Sequence, residues 1–189
     1  MNPEGILLNI QKHVSLNEEE KAHLDTLFAI ESFAKQHTIL EQGRLCRKLF
    51  YVEKGSLRAF NGNQYGKEST IMFAIKDWWI TDMYAFTNQT KALLSIETLE
   101  HCLLRSISFD VLEHLLLTMP KMERLFRILF QKAYVREQLR VLDNISLSTE
   151  ERYLQFLSKY PQIAKKVTQK QIASYLGVTP EFLSSVKRK

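Results

Sequence analysis

Five of the six glycines in this chain (Gly5, Gly43, Gly55, Gly62 and Gly66) fall in the first 66 residues, and none lies between Gly66 and Gly177. Glycine supplies the positive φ that tight turns need, and it weakens a helix by about 0.5–1 kcal/mol relative to alanine. The chain is therefore built for turn-rich structure early and for long, uninterrupted helix late. Only four prolines interrupt it, so long loops and low-complexity linkers are not expected.

The early part reads accordingly. Asn17 followed by Glu18, Glu19 and Glu20 is a helix start, with acidic groups at the positive end of the helix dipole, and predicts a short helix over about 18–30. From about 33 to 107 short β-like runs alternate with turns: 49–52, 56–60, 69–75, 93–99 and 102–107. Glu53-Lys54-Gly55 and Asn61-Gly62-Asn63 are the clearest turns. Many short strands at this spacing point to a barrel or jelly roll.

After Ser108 the period becomes helical. Phe109–Thr118 predicts a short amphipathic helix with Leu112, Leu115 and Leu116 on its apolar side. Pro120 suits the first turn of a long helix running to about Asn144, roughly 36 Å at 1.5 Å per residue. Its apolar set is wider than one stripe, as a helix packed on its own barrel and on a second copy requires. Met122, Leu125, Phe126, Leu129 and Ala133 are the candidate dimer residues; a core helix of a single chain would show the same width. Residues 144–147 read as a hinge, followed by a capping-box start at Ser148 and Glu151. The domains expected are 1–119, a dimerisation helix 120–144, and 145–189.

Thr168 to Lys189 is the most informative stretch. Thr168 and Gln171 form a second capping box, and Ala173 is small where two helices must approach closely. Gly177 can end the first helix with positive φ, and Thr179 can cap a second one that starts at Pro180. Ile172, Leu176, Val178, Leu183 and Val186 would face inward. This is the pattern of a helix-turn-helix. Pro180, Glu181, Ser184, Ser185 and Arg188 would then point outward, where Glu181 could accept from cytosine N4 and the serines bond either base. Gln169, Lys170, Thr179, Lys187, Arg188 and Lys189 complete the candidate DNA contacts, the cations positioned for phosphates.

Charge agrees. The whole chain is +5, but residues 1–119 carry 12 Lys+Arg and 15 Asp+Glu (net −3), whereas 120–189 carry 14 and 6 (net +8). A polyanionic partner at the C-terminal end follows. Cys46 and Cys102 are too few for a disulfide scaffold or a four-cysteine metal site. No apolar run approaches the roughly 20 residues that cross a bilayer, and the N-terminus shows no secretory signal, so a cytoplasmic protein without membrane contact is expected.

Barrel, long helix, hinge and helix-turn-helix in this order resemble the bacterial cyclic-AMP receptor protein and fumarate-nitrate regulator (Crp-Fnr) superfamily. The resemblance runs from about Asn17 to Lys189 and rests most on 49–58 and 168–189. It implies an α+β chain: an N-terminal jelly-roll (double-stranded β-helix) effector domain, a long dimerisation helix and a C-terminal all-α DNA-reading domain. It further implies a homodimer on palindromic double-stranded DNA, a small-molecule effector, and RNA polymerase as a protein such a regulator could address. The candidate effector pocket comprises Thr81, Asp82, Lys91, Ala92 and Leu93, with Trp78 and Trp79 beside it and Tyr134 from the long helix. Trp78 and Trp79 could equally fill the barrel.

Departures from the family pattern sharpen the expectation. The family's phosphate cassette carries an arginine where this chain has Ala92, and Lys91 is one place off and lacks a bidentate guanidinium. Cyclic AMP is therefore not the expected effector, and no cofactor is expected. The N-terminal cysteine cluster of iron–sulfur members is missing, and His37 and His101 are isolated, so no metal site is expected. No nucleophile–base pair supports an enzyme. The family's recognition-helix arginines are replaced by Pro180 and Ser185, while Glu181 matches; the chain ends at Lys189, so no wing hairpin is expected. These departures leave a ligand- or protein-binding jelly roll without DNA binding as the alternative.

Overall fold

The computed structural model describes residues 4–186. Two short helices, α1 (Glu4–Gln11) and α2 (Glu18–Leu27), precede the sheets. The capping box of Asn17 with Glu20 fixes the start of α2. That helix stops at Leu27, because Phe28 turns extended and β1 (Ala29–Phe33) begins.

Eight antiparallel strands form two four-stranded sheets. One has the order β1, β8 (Cys102–Ser108), β3 (Lys48–Lys54), β6 (Trp79–Ile80). The other runs β2 (Thr38–Leu40), β7 (Ser95–Thr98), β4 (Ser56–Gly62), β5 (Glu68–Ile75). The five strand runs legible in the sequence correspond to β3, β4, β5, β7 and β8. Between β3 and β4, Gly55 adopts φ +100, and a Cβ there would lie 2.5 Å from the Cys102 Sγ. Positive φ and close approach both demand glycine at that turn.

The barrel interior is apolar, with Tyr51, Leu57, Ile96, Leu104 and Ile107 essentially buried. Two arginines are buried with it, each held by two carboxylates. Arg58 meets Glu97 and Glu68, and Arg105 meets Asp25 and Glu53. Such pairing is what makes a buried guanidinium tolerable.

Helix α3 (Met83–Asn88) sits between β6 and β7. After β8 come α4 (Phe109–Thr118) and α5 (Pro120–Ser146), a 27-residue helix with Pro120 at its first turn. Met122, Leu125 and Phe126 are buried in the barrel core. These candidate dimer residues are therefore covered by their own chain, and Leu129 packs partly against the same core. The apolar surface that α5 leaves exposed lies further on, at Phe130, Tyr134, Val135, Leu139, Val141, Leu142 and Ile145. Helix persists through Ser146, so three of the four residues expected as a hinge (144–147) are helical and the break falls later, at Leu147 and Ser148.

The C-terminal helices are α6 (Thr149–Lys159), α7 (Pro161–Ala164), α8 (Gln169–Leu176) and α9 (Pro180–Val186). Their apolar core comprises Phe156, Tyr160, Ile163, Ile172, Ala173, Leu176 and Leu183. Phe73 of β5 and Leu99 belong to the same cluster, so barrel and helices share a core.

Candidate DNA interface and effector cradle

The helix-turn-helix is assembled by local rules. The Thr168 side chain accepts from the Gln171 amide while Gln171 reaches back, and Gly177 closes α8 in the left-handed region at φ 72. The Thr179 hydroxyl accepts from the Phe182 amide at 3.2 Å and starts α9. Leu183 is completely buried, which turns Glu181, Phe182 and Ser185 outward. Ser184 and Ser185 spend their hydroxyl protons on the carbonyls of Pro180 and Phe182, leaving oxygen lone pairs for a partner. Gln169, Lys170 and Thr179 are exposed, and Pro180 is half-buried. Lys187, Arg188 and Lys189 lie outside the described residues.

Phe182 is half exposed on this face and was not among the sequence candidates. The signal was present in its spacing, one residue from buried Leu183. Helical geometry puts such neighbours about 100° apart.

Arg152, Ser174 and Lys166 bind the C-terminal helices to the rest of the molecule, the Lys166 Nζ lying 2.7 Å from the Glu100 Oε1 between β7 and β8. Arg152 donates to the Leu176 carbonyl and to the Asn144 Oδ1, both at 2.9 Å, tying α5, α6 and α8 together. Ser174 reaches β5, the edge strand of its sheet. Its hydroxyl donates to the Glu68 carbonyl and accepts from the Thr70 amide, both at 2.8 Å. Arg140 of α5 donates to the Ile71 carbonyl of the same edge. Backbone groups that an edge strand would leave unpaired are thus covered by the helices.

The effector candidates divide. Thr81, Asp82, Ala92 and Leu93 come together around the start of α3. Asp82 is 3% exposed and caps α3; its Oδ1 accepts from the Ala85 amide at 3.1 Å. Its Oδ2 accepts from the Leu93 and Leu94 amides at 2.6 and 3.0 Å. Ala92 is buried, its N–H donating to the Arg44 carbonyl. The Thr81 hydroxyl donates to the Lys48 carbonyl and lies 3.2 Å from the Cys46 Sγ. Lys91 is exposed.

These residues do not fit a cyclic nucleotide. The amides that could cradle a phosphate are taken by the carboxylate of Asp82, an acceptor that would repel one. No buried cation stands at Ala92.

Three other candidates lie apart from this cradle. Trp79 makes its ring contacts with Phe28, Tyr51 and Phe126, as a core residue does. Trp78 packs on Tyr160 and under the Arg136 guanidinium. Tyr134 is 70% exposed on α5 and lines no effector pocket with the others. Both cysteines are buried free thiols, and burial pushes their pKa values up, away from reactive thiolate. His101 holds Ser32 at 3.1 Å, and no metal-competent cluster occurs among the described residues. Nor is any described helix long and apolar enough to cross a membrane.

The described chain thus joins a jelly roll through one long helix to a helix-turn-helix. Comparison with known proteins agrees. Residues 30–119 match the model of the cyclic nucleotide-binding domain. The regulatory protein HlyX of Actinobacillus pleuropneumoniae is 23% identical, over 90% of this chain and 75% of its own. Among solved structures, the global regulator CLP of Xanthomonas campestris superposes with a TM-score of 0.73 at 15% identity, covering 88% of each chain. FixK2 of Bradyrhizobium japonicum gives 0.70 at 16% identity, over 85% of this chain and 83% of that one. Residues 30–119 thus resemble a cyclic nucleotide-binding domain, and over 90% of its length the chain is similar to a curated regulatory protein.

Proposed function

We propose that this chain is a homodimeric regulator that reads palindromic duplex DNA with α9 and does not respond to cyclic AMP. The observation that carries the reading is the outward face of α9, set by the Thr168 box, the Gly177 turn and buried Leu183 at the basic end of the chain. Glu181 would accept from cytosine N4, and Phe182 would pack on a thymine methyl group. Lys170 would contact phosphate and position the helix without reading sequence. The exposed apolar side of α5 supplies the surface for a second copy, whose symmetry would set half-sites about 34 Å apart.

HlyX and CLP are regulators by name, which supports a binding role over an enzymatic one. With Asp82 filling the cradle, a ligand that preferred one state of the dimer would have to act elsewhere. A dimer competent without any effector, controlled by its abundance, fits the same cradle.

Selection of bound sequences from random duplex DNA tests the reading. The expected product is a two-fold symmetric site whose affinity falls steeply with salt, as phosphate neutralisation requires. A single unpaired half-site, or binding indifferent to salt, would overturn it. No selected sequence at all would instead favour a jelly-roll module that binds only a ligand or a protein.

A further inference from the structure

We propose that the cavity between α5, α6 and α8 binds a small organic anion that carries a flat aromatic ring. Its volume of about 310 Å³ is at the small end of ligand sites. Lys132, Arg136 and Arg140 line it from α5, and Arg152 and Lys159 from α6. Asp143 is the one carboxylate among the lining residues. Glu137, just outside, lies 3.3 Å from Arg136 and 3.1 Å from Arg140. Five cations against two carboxylates leave an excess of three positive charges around one half-open cavity.

Two of those cations are incompletely satisfied. The Nε atoms of Arg140 and Arg152 are buried and hold no hydrogen bond; Glu137 lies near the first but not along its N–H. Buried donors of this kind cost free energy until an acceptor arrives. The ammonium of Lys159, an exposed residue, is pulled below its ordinary pKa, first by partial desolvation and then by Arg136. An anion would reverse that repulsion.

The remaining wall selects the body of the ligand. Phe156, Tyr160 and Tyr175 form a ring cluster with centroids 5.4–6.2 Å apart, against which a planar group can stack. The cavity also lies across the break at Leu147–Ser148, so occupancy would fix α5 against the helix-turn-helix. That consequence rests on the DNA-binding reading; binding to the cavity does not.

The test is isothermal titration of the full chain, without DNA, using 2-naphthoate as probe. Acetate and 2-naphthylmethanol serve as its charged and neutral halves. Naphthoate is expected to bind at least tenfold more tightly than either half. Lys132→Met with Lys159→Met, both exposed positions, should weaken it at least tenfold with little change in melting temperature. Lys159→Glu alone should weaken it further and is a second variant should the double one fold poorly. Equal binding of naphthoate and its halves, no binding, or unchanged affinity in the folded variants would overturn the proposal. Selecting DNA sites with and without naphthoate then tests the regulatory consequence separately.

Discussion

The Ser174 hydroxyl of the first helix of the helix-turn-helix accepts a hydrogen bond from the backbone amide of Thr70, on the edge strand of the barrel, at 2.8 Å. The same hydroxyl donates to the Glu68 carbonyl, so one side chain completes two backbone groups 104 and 106 residues away. The helix-turn-helix and the barrel are thereby joined through the barrel's own ladder positions.

Ser174→Ala should loosen that join. It leaves the Thr70 amide and the Glu68 carbonyl without their partner, at a cost of about 1–2 kcal/mol. Hydrogen exchange at the Thr70 amide should accelerate roughly tenfold or more, while amides in β3 and β8 keep their protection. Unchanged exchange at Thr70 would show that the contact carries no stability.

Asp82 should matter more. Its carboxylate serves three amides, of Ala85, Leu93 and Leu94, and Asp82→Ala leaves all three donors, one buried and two partly so, without that partner. A loss of about 3 kcal/mol in urea unfolding is expected, and Asp82→Asn, which keeps one acceptor oxygen, should recover part of it. The same occupied cradle implies that millimolar cyclic AMP leaves the melting temperature of the wild type unchanged. A rise of several degrees would contradict that assignment.

Both contacts show where sequence reading stops. The helix cap at Asn17, the capping boxes at Ser148 and Thr168, the Pro120 start and the Gly177 turn are short-range, and each was legible from neighbouring residues. Ser174 to Thr70 is a long-range pairing that no local pattern specifies. Three strands went unread: β2 and β6 have three and two residues, too few for an alternation to register, and the start of the five-residue β1 was taken into the helix expected over 18–30. Thr81, Asp82, Ala92 and Leu93 were placed in one cradle through the family resemblance. That Asp82 fills it could not be seen, because a carboxylate near a phosphate position reads equally as binder or as blocker. The tryptophans were assigned by nearness in sequence and Tyr134 by its place on the long helix, whereas the tryptophans pack on Phe28, Tyr51, Phe126 and Tyr160 and Tyr134 faces outward.

Acid sensitivity should involve Tyr51 and Asp77. The Tyr51 hydroxyl donates to the Asp77 Oδ1 at 2.7 Å, and the Lys12 Nζ lies 3.1 Å from its Oδ2. Burial alone would raise the Asp77 carboxyl, but these hydrogen bonds and the fields of Lys12 and Lys76 outweigh it and hold it below 3.8. A carboxyl depressed on folding contributes stability that is complete above its ordinary pKa and is lost as pH falls through the lower folded value. Glu20, Glu100 and Glu151 are depressed as well and share the acid limb. Tyr51→Phe removes the strongest bond to Asp77, so acid unfolding followed by circular dichroism should begin at higher pH. An acid limb that coincides with the wild type would exclude the pair from this role.

The face of α5 gives the most discriminating test of assembly. An apolar helix cannot announce which of its sides its own chain will cover, and the structure divides them: Leu125 is fully buried against the barrel, while Tyr134 and Val141 are 70% and 55% exposed. Phe130, Tyr134, Val141 and Ile145 follow one another at intervals of four, seven and four residues, a single stripe at the coiled-coil repeat. Burying that stripe against a second copy would gain roughly 25 cal/mol for each Å² of apolar surface removed from water. Tyr134→Asp with Val141→Asp should therefore convert a dimer into a folded 22.2 kDa monomer by light scattering, with native far-ultraviolet circular dichroism retained. Leu125→Asp should instead unfold the chain, because it places a charge in the barrel core. A wild type that is monomeric at tens of micromolar, or a double variant that stays dimeric, would move the interface off this stripe.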